Sequence, residues 1–369
     1  MRRSKREYPL DGLDLAKGLQ QAWENGWMDD FSDEHFLIKA IEGKLNTYPK
    51  LFQAASENVC IYRLTPENFH LNFCINFSAK IKGLISLFGE DNIHRFFTDQ
   101  LSAGKDHYQE NQFFRALSEV SVLNFWRMRS SSGDYEPKTN GNKNPEARVV
   151  CNNDVIVDIE VKTPGFTDFS SITDIVIPTV LLDEHGRNVF MEYCNSHGLH
   201  GAMPRVMKLK DFLNSAAGKF EEVDHISHMN ILYINWSLSE FEESGYQEAF
   251  SLMANSINGI LIHKDIGLSL GIHEDVYNRI TAVVTYTEPL QGLMFGDFKW
   301  VWTTGRDFQP HFGIIGMHNC KGLFETTGMN PYATQMTPLI TGIFHDTKYL
   351  PELMSLIERH MLKPQHYSE

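Results

Sequence analysis

Residues 144–164 read NPEARVVCNNDVIVDIEVKTP. Two apolar runs, ARVVC at 147–151 and VIVDIEVKT at 155–163, flank Asn152-Asn153-Asp154, a composition that suits a hairpin turn. Pro164-Gly165 ends the second run. In a strand, residues two apart share a face. Asp154, Ile156, Asp158, Glu160 and Lys162 therefore point one way, and Val155, Val157, Ile159 and Val161 the other. One apolar face is enough to bury such a strand, so the charges fit a solvated polar face. They also fit a chemical site. Hard divalent cations take carboxylate, carbonyl and water oxygens, and Glu160 with the backbone carbonyl of Val161 offers two of these. Lys162, one step along the same face, would then meet a metal-bound water and the phosphate under attack. A hairpin at 152–154 returns Glu146 beside Glu160 as the second acid. Asp158, on the same face as Glu160, is the rival ligand. Glu146 is preferred because the acids then converge from two strands.

Outward from the hairpin, QENQFFRALSEVSVLNFW at 109–126 predicts a helix with Phe113, Ala116, Leu117 and Val120 on one stripe. The polar stretch 129–146 carries turn signals, among them Asn140-Gly141. Downstream, 165–204 reads as irregular apart from the apolar run DIVIPTVLL. KLKDFLNSAAGKFEE at 208–222 is an amphipathic helix, with Leu209, Phe212, Leu213, Ala216, Ala217 and Phe220 at helical spacing. NILYINWS and ITAVVTYT are buried strands, KWVWTTG at 299–305 a short last one, and LPELMSLIERHML at 350–362 a terminal helix. Residues 9–100 read as mainly helical, with Ser32 as an N-cap before FLIKAIEGKL and Gly89 closing INFSAKIKGLISLF. From residue 108 onward the order of helices and strands predicts an α/β protein with a mixed sheet.

At this point the sequence resembles the PD-(D/E)xK nuclease superfamily, the restriction-endonuclease-like fold. The resemblance rests on ALSEVSVLNFW, NPEARVVCNNDVIVDIEVKTP, KDFLNSAAGKF and NILYINWS, in that order, between residues 116 and 237. It implies an αβββαβ core that hydrolyses phosphodiesters with Mg²⁺ or Mn²⁺. It assigns the helical glutamate to Glu119, the two strand acids to Glu146 and Glu160, and the lysine to Lys162. It also gives Lys219, on the second helix, an extra basic role toward phosphate. The family usually carries Asp after the proline where this chain has Pro145-Glu146, one methylene longer. The implied domains are a helical region at 1–105, a nuclease core at 106–305 with an insertion at about 165–204, and an extension at 306–369. The implied substrate is nucleic acid, DNA ahead of RNA, in a bacterial or phage setting of restriction or defence. The alternative is a binding or regulatory protein that kept this fold and lost the chemistry.

The bulk numbers set the remaining expectations. The 369 residues are 42% apolar and 22% charged, ordinary for a globular protein. No run approaches the ~20 apolar residues that span a bilayer, so no membrane is expected. No apolar segment follows the basic start MRRSKREYPL, which reads as a tail without a secretory signal. Five scattered cysteines predict reduced thiols and a cytoplasmic protein. The net charge of −14 disfavours nonspecific nucleic-acid binding. Locally, Arg127, Arg129, Lys138, Lys143 and Arg148 flank Glu146, and Arg205, Lys208, Lys210 and Lys219 accompany the second helix. Together they suit a phosphate-facing groove in which Arg148 and Lys219 make contact. A homo-oligomer or a protein partner is left open. Gly267-Leu268-Ser269-Leu270-Gly271 matches a nucleophile elbow in letters only, since no long helix follows. His225 with His228, His318 with Cys320, and Trp300 with Trp302 read as solvated or packed side chains.

Overall fold

The computed structural model describes residues 3–10, 17–45, 66–104, 107–139, 143–151, 154–164, 175–176, 184–201, 204–222, 227–236, 246–255, 258–286 and 312–317. Helices α1 (Lys17–Glu24), α2 (Phe36–Ile41), α3 (Pro66–Phe88) and α4 (Glu90–Phe96) come first, and α5 (Glu110–Arg127) follows. Next are strands β1 (Ser130–Tyr135), β2 (Ala147–Cys151) and β3 (Ile156–Lys162). A small pair, β4 (Ile175–Val176) and β5 (His200–Gly201), brackets α6 (Glu184–Ser196). Helix α7 (Arg205–Ala217) leads into β6 (His228–Asn235). Helices α8 (Tyr246–Ala254), α9 (Lys264–Ser269) and α10 (Glu274–Arg279) precede β7 (Ala282–Tyr286) and β8 (Phe312–Gly316).

Six strands form one mixed open sheet in the order β1-β2-β3-β6-β7-β8. The pairs β1–β2, β2–β3 and β7–β8 are antiparallel, while β3–β6 and β6–β7 are parallel. Parallel neighbours need a crossover, and α7 provides it between β3 and β6. Central strands covered on both sides must be apolar on both sides. In β6, Ile231 and Tyr233 enter one core with α5 and the N-terminal helices. Leu232 and Ile234 enter a second core with Leu209, Leu213 and Ala216 of α7 and Val276 of α10. Strand β3 differs: Val157, Ile159 and Val161 join the first core, and its other face carries the charges.

Helix α5 is clamped onto this sheet. From Phe113 to Trp126 nearly every side chain is buried, far more than one stripe. Trp126 Nε1 donates to the Tyr233 hydroxyl at 3.1 Å, and Asn235 Nδ2 donates to Ser118 Oγ at 2.6 Å. Both bonds tie α5 to β6.

Several expectations change. The polar stretch after α5 contains β1, a strand made mostly of serine and glycine that pairs with β2 along its length. Residues 184–196, read as irregular, form α6. Ser32 does not cap α2; the cap is His35, whose Nδ1 accepts from the Leu37 N–H at 3.1 Å. Ser32 Oγ instead accepts from the Glu34 N–H. The N-terminus is no free tail at Arg3, which is buried against the carbonyls of Met28 and Phe31. Gly89 does end α3, with φ +87°. Cys74, Cys151 and Cys194 are buried free thiols. Segments 299–305 and 350–362, together with His225, Trp300, Trp302, His318 and Cys320, lie outside the described residues. No helix among the described residues is long and apolar enough to cross a membrane.

Tyr233→Phe removes the buried acceptor of the Trp126 indole and loosens α5 from the sheet. The expected loss is about 1–3 kcal/mol in a urea melt, with the denaturant slope unchanged.

Candidate functional site

The β2–β3 ladder runs from Val150↔Ile156 to Ala147↔Ile159, with Arg148 opposite Asp158. One step further out, Glu146 stands opposite Glu160. The ladder stops before Val161, so the backbone of Val161 lies outside it on the β2 side. The Glu146 carbonyl is held by the Glu136 N–H at 2.9 Å, which fixes the end of the β1–β2 connection.

Two carboxylates facing each other across adjacent strands repel, and burial magnifies the repulsion. Glu160 is 0% exposed and Glu146 is buried too. Lys219 resolves the conflict. Its Nζ lies 3.2 Å from Glu146 Oε1, 2.9 Å from Glu160 Oε2 and 2.7 Å from Glu160 Oε1. Lys219 is not on the helix as expected. Helix α7 ends at Ala217 with Gly218 as its cap, and Lys219 hangs from the following turn. Its side chain is 14% exposed. Burial pulls the Lys219 ammonium down, but Glu146 and Glu160 outweigh it and hold the pKa well above the usual lysine range. Lys162 Nζ also pairs with Glu160 Oε1. That oxygen receives both ammoniums as ion partners without a well-formed hydrogen bond.

Glu119 reaches the same cluster from α5. Its Oε2 is buried with no hydrogen-bond partner. Burial first, then the charges of Glu146 and Glu160, push its carboxyl well above the ordinary range against the pull of Lys162 and Lys219. Glu160 is pushed up as well, by burial and then by Glu146. The site thus holds three carboxyls, Glu119, Glu146 and Glu160, against two ammoniums, Lys162 and Lys219.

Asp158 is turned to other work. Arg148 grips it with two hydrogen bonds, at 2.6 and 2.7 Å, and His228 Nε2 lies 3.0 Å from its Oδ2. Burial alone would raise this carboxyl, but Arg148 and His228 hold it below its usual range. Arg148 also lies 3.6 Å from Glu221. Both the rival ligand and the expected phosphate contact at Arg148 are therefore occupied within one ion network. His228 belongs to that network and is not solvated. Other expected groove cations are also paired, Arg205 with Glu248 and Lys210 with Asp211. Ser269 sits at the end of α9 with its hydroxyl on the Ile266 carbonyl, so the nucleophile elbow is absent there.

One residue escaped the sequence reading. Tyr135, paired with Ala147 at the end of β1, has a buried hydroxyl without a hydrogen-bond partner. Burial and then the charges of Glu119 and Glu146 push the phenol far up. Nothing in SSSGDY signals this, because the strand itself lacks apolar alternation.

Chemically the set suits a hard divalent cation: carboxylate oxygens from three elements, one of them an orphan at Glu119, and a free stretch of backbone at Val161. The oxygens are not drawn into a cage in this structure. Among the described residues no three His, Cys, Asp or Glu side chains lie close enough to hold an ion as they stand. The Lys219 ammonium takes the bridging place instead.

No family model, no curated relative and no solved structure matches this chain.

Two stability tests follow from these charges. Asp158→Asn leaves Arg148 without its buried partner and costs about 3 kcal/mol in a urea melt. Glu119 has the opposite sign. A carboxyl whose folded pKa exceeds its unfolded value binds more protons folded than unfolded. Stability of the metal-free protein therefore falls as pH rises from the ordinary 4.5 through the raised folded value. Glu119→Gln makes that fall shallower, Glu160 keeping its own part, and thermal melts across pH 4.5–8 read the difference.

Proposed function

We propose that this chain is a metal-dependent nuclease of the PD-(D/E)xK type, hydrolysing phosphodiester bonds in nucleic acid, DNA ahead of RNA. The observation that carries the reading is the convergence of Glu119, Glu146, Glu160 and Lys162 from a helix and two adjacent strands. The order helix, three strands, helix, strand around that cluster (α5, β1, β2, β3, α7, β6) supports it. Glu146, Glu160 and Glu119 would hold Mg²⁺ or Mn²⁺, with the Val161 carbonyl as a further oxygen. Bound there, the ion would supply an acidified water and neutralise charge gathering on the phosphate.

The chain's own residues do the rest. Lys162 is anchored on Glu160 and keeps 19% of its side chain exposed. Its fixed positive charge orients the attacking water and steadies the phosphorane-like charge. Lys219 keeps the acids from repelling while the site is empty of substrate. Released from Glu146 and Glu160, its ammonium is placed to meet the phosphate. Burial and the charges of Glu146 and Glu160 raise the Glu119 carboxyl well above its ordinary range, and a bound cation would favour its ionised form. A stand-alone cytoplasmic nuclease of restriction or defence in bacteria or phage fits this chemistry, on the resemblance alone.

A second reading has its own support. The Lys219 bridge already neutralises Glu146 and Glu160, and a chain at −14 repels polyanions. On that reading the protein is a binding or regulatory protein on the same fold. Isothermal titration with Mn²⁺ separates the two: binding lost in Glu146→Gln and Glu160→Gln supports the enzyme, and no binding at millimolar metal supports the adaptor.

In a plasmid-nicking assay with Mg²⁺ or Mn²⁺, Glu160→Ala and Lys162→Ala are each expected to lower cleavage by at least about a hundredfold. EDTA abolishes it. Unchanged cleavage in both folded variants sinks the mechanism.

A further inference from the structure

Arg115 lies on α5 one helical turn before Glu119. Between Phe113 and Trp126, every side chain of α5 is buried except those of Arg115 and Glu119, which are both partly exposed. The two lie four residues apart, hence one turn apart on the same face, roughly 5–6 Å between Cβ atoms. The two partly exposed positions in this stretch of α5 therefore share one face of the helix.

Arg115 is unusual among the arginines. Arg3, Arg95, Arg148, Arg205 and Arg279 each sit on a carboxylate. Among the described residues no carboxylate pairs with Arg115, and its Nε is buried without a hydrogen-bond partner. Burial pulls its guanidinium below the usual value, and nothing nearby pulls it back up, whereas Asp158 raises Arg148. A half-buried guanidinium without a counter-ion is costly to keep. The cost is offset if an anion arrives from outside. The planar fork of arginine matches two oxygens of one phosphate.

We propose that Arg115 binds the backbone phosphate next to the one presented to Glu160 and Lys162, so that one turn of α5 spans two neighbouring phosphates of the strand. This rests on the nuclease reading for the identity of the anion, and it adds the positioning of the strand along α5. Arg115 touches no reacting atom in this scheme; it sets where the strand lies.

The test uses the full chain and a fluorescein-labelled double-stranded DNA oligonucleotide, in EDTA so that nothing is cut. Fluorescence anisotropy is read across a salt series for wild type, Arg115→Ala, Arg115→Gln and Arg115→Lys. Circular dichroism identifies the folded variants, and Arg115→Gln, which keeps most of the side chain's length, stands in if the alanine variant does not fold. The expected result is a Kd raised about tenfold in the alanine and glutamine variants, with partial recovery in lysine. The slope of log K against log salt should also shrink by about one in magnitude. A ribo-oligonucleotide of the same sequence, run in parallel, tells which backbone supplies the phosphate. Equal Kd and equal slope in the folded Arg115→Ala or Arg115→Gln variant overturn the assignment, as does the absence of wild-type binding to either oligonucleotide. Arg115-dependent binding with no cleavage by wild type in Mg²⁺ or Mn²⁺ keeps the phosphate subsite and overturns the nuclease reading instead.

Discussion

Two glutamates facing each other across a buried strand pair cannot both stay charged unless a cation stands between them. In this protein that cation is the Lys219 ammonium, within 3.2 Å of Glu146 and 2.7 Å of Glu160. Much of the surrounding architecture can be derived from that requirement. Lys219 must hang from a turn directly over β3, so α7 must end at Gly218 on the charged face of that strand. Helix α7 must also be the crossover between two parallel strands, which makes β6 central and apolar on both faces. The charged face of β3 is then roofed by a turn and not by the apolar side of a helix.

A second ion network lies further along the same face of β3. Asp158 is fully paired there by Arg148 and His228. The cluster of Glu119, Glu146 and Glu160 is underpaired, with a bare oxygen at Glu119. The contrast on one strand is informative. Side chains two residues apart share the same β-geometry, yet one carboxylate is pulled below its ordinary pKa and the other pushed above it. A fully paired network supports the fold, whereas an underpaired one stores free energy that a ligand can release.

The E-x-K strand, its hairpin and helix α5 were legible because their signals are local: alternation, a turn composition, and apolar spacing. Glu146 could be placed beside Glu160 because hairpin register follows from counting. Lys219 was legible as a basic residue near the site, but its place in the turn was missed: Gly218 is a helix-ending residue, and the apolar spacing that continues to Phe220 masked the stop. β1 was hidden because SSSGDY takes its strand conformation from its pairing with β2 and its packing under α3, not from its own composition. The same holds for Tyr135, whose relation to Glu119 depends on how far β1 lies from α5. The register that sets Glu146 beside Glu160 also sets Arg148 opposite Asp158, so that pairing was within reach of the same counting; the further grip of His228 on Asp158, which comes from β6, was not. The six-stranded order beyond β3 depends on crossovers through helices, which local periodicity does not reveal.

The edge of the sheet on the hairpin side is also shaped by this arrangement. Strand β1 is an outermost strand, irregular in register between Ser130 and Ser132. Its Gly133 lies so close to Phe88 that an added Cβ would come within 2.8 Å of the ring. A short, bent, hydroxyl-rich border of this kind is a poor template for a foreign strand to continue. The hairpin bearing Glu146 and Glu160 is therefore screened from intermolecular β-pairing by a strand that resists it, and the sheet stops growing one strand beyond its most highly charged segment.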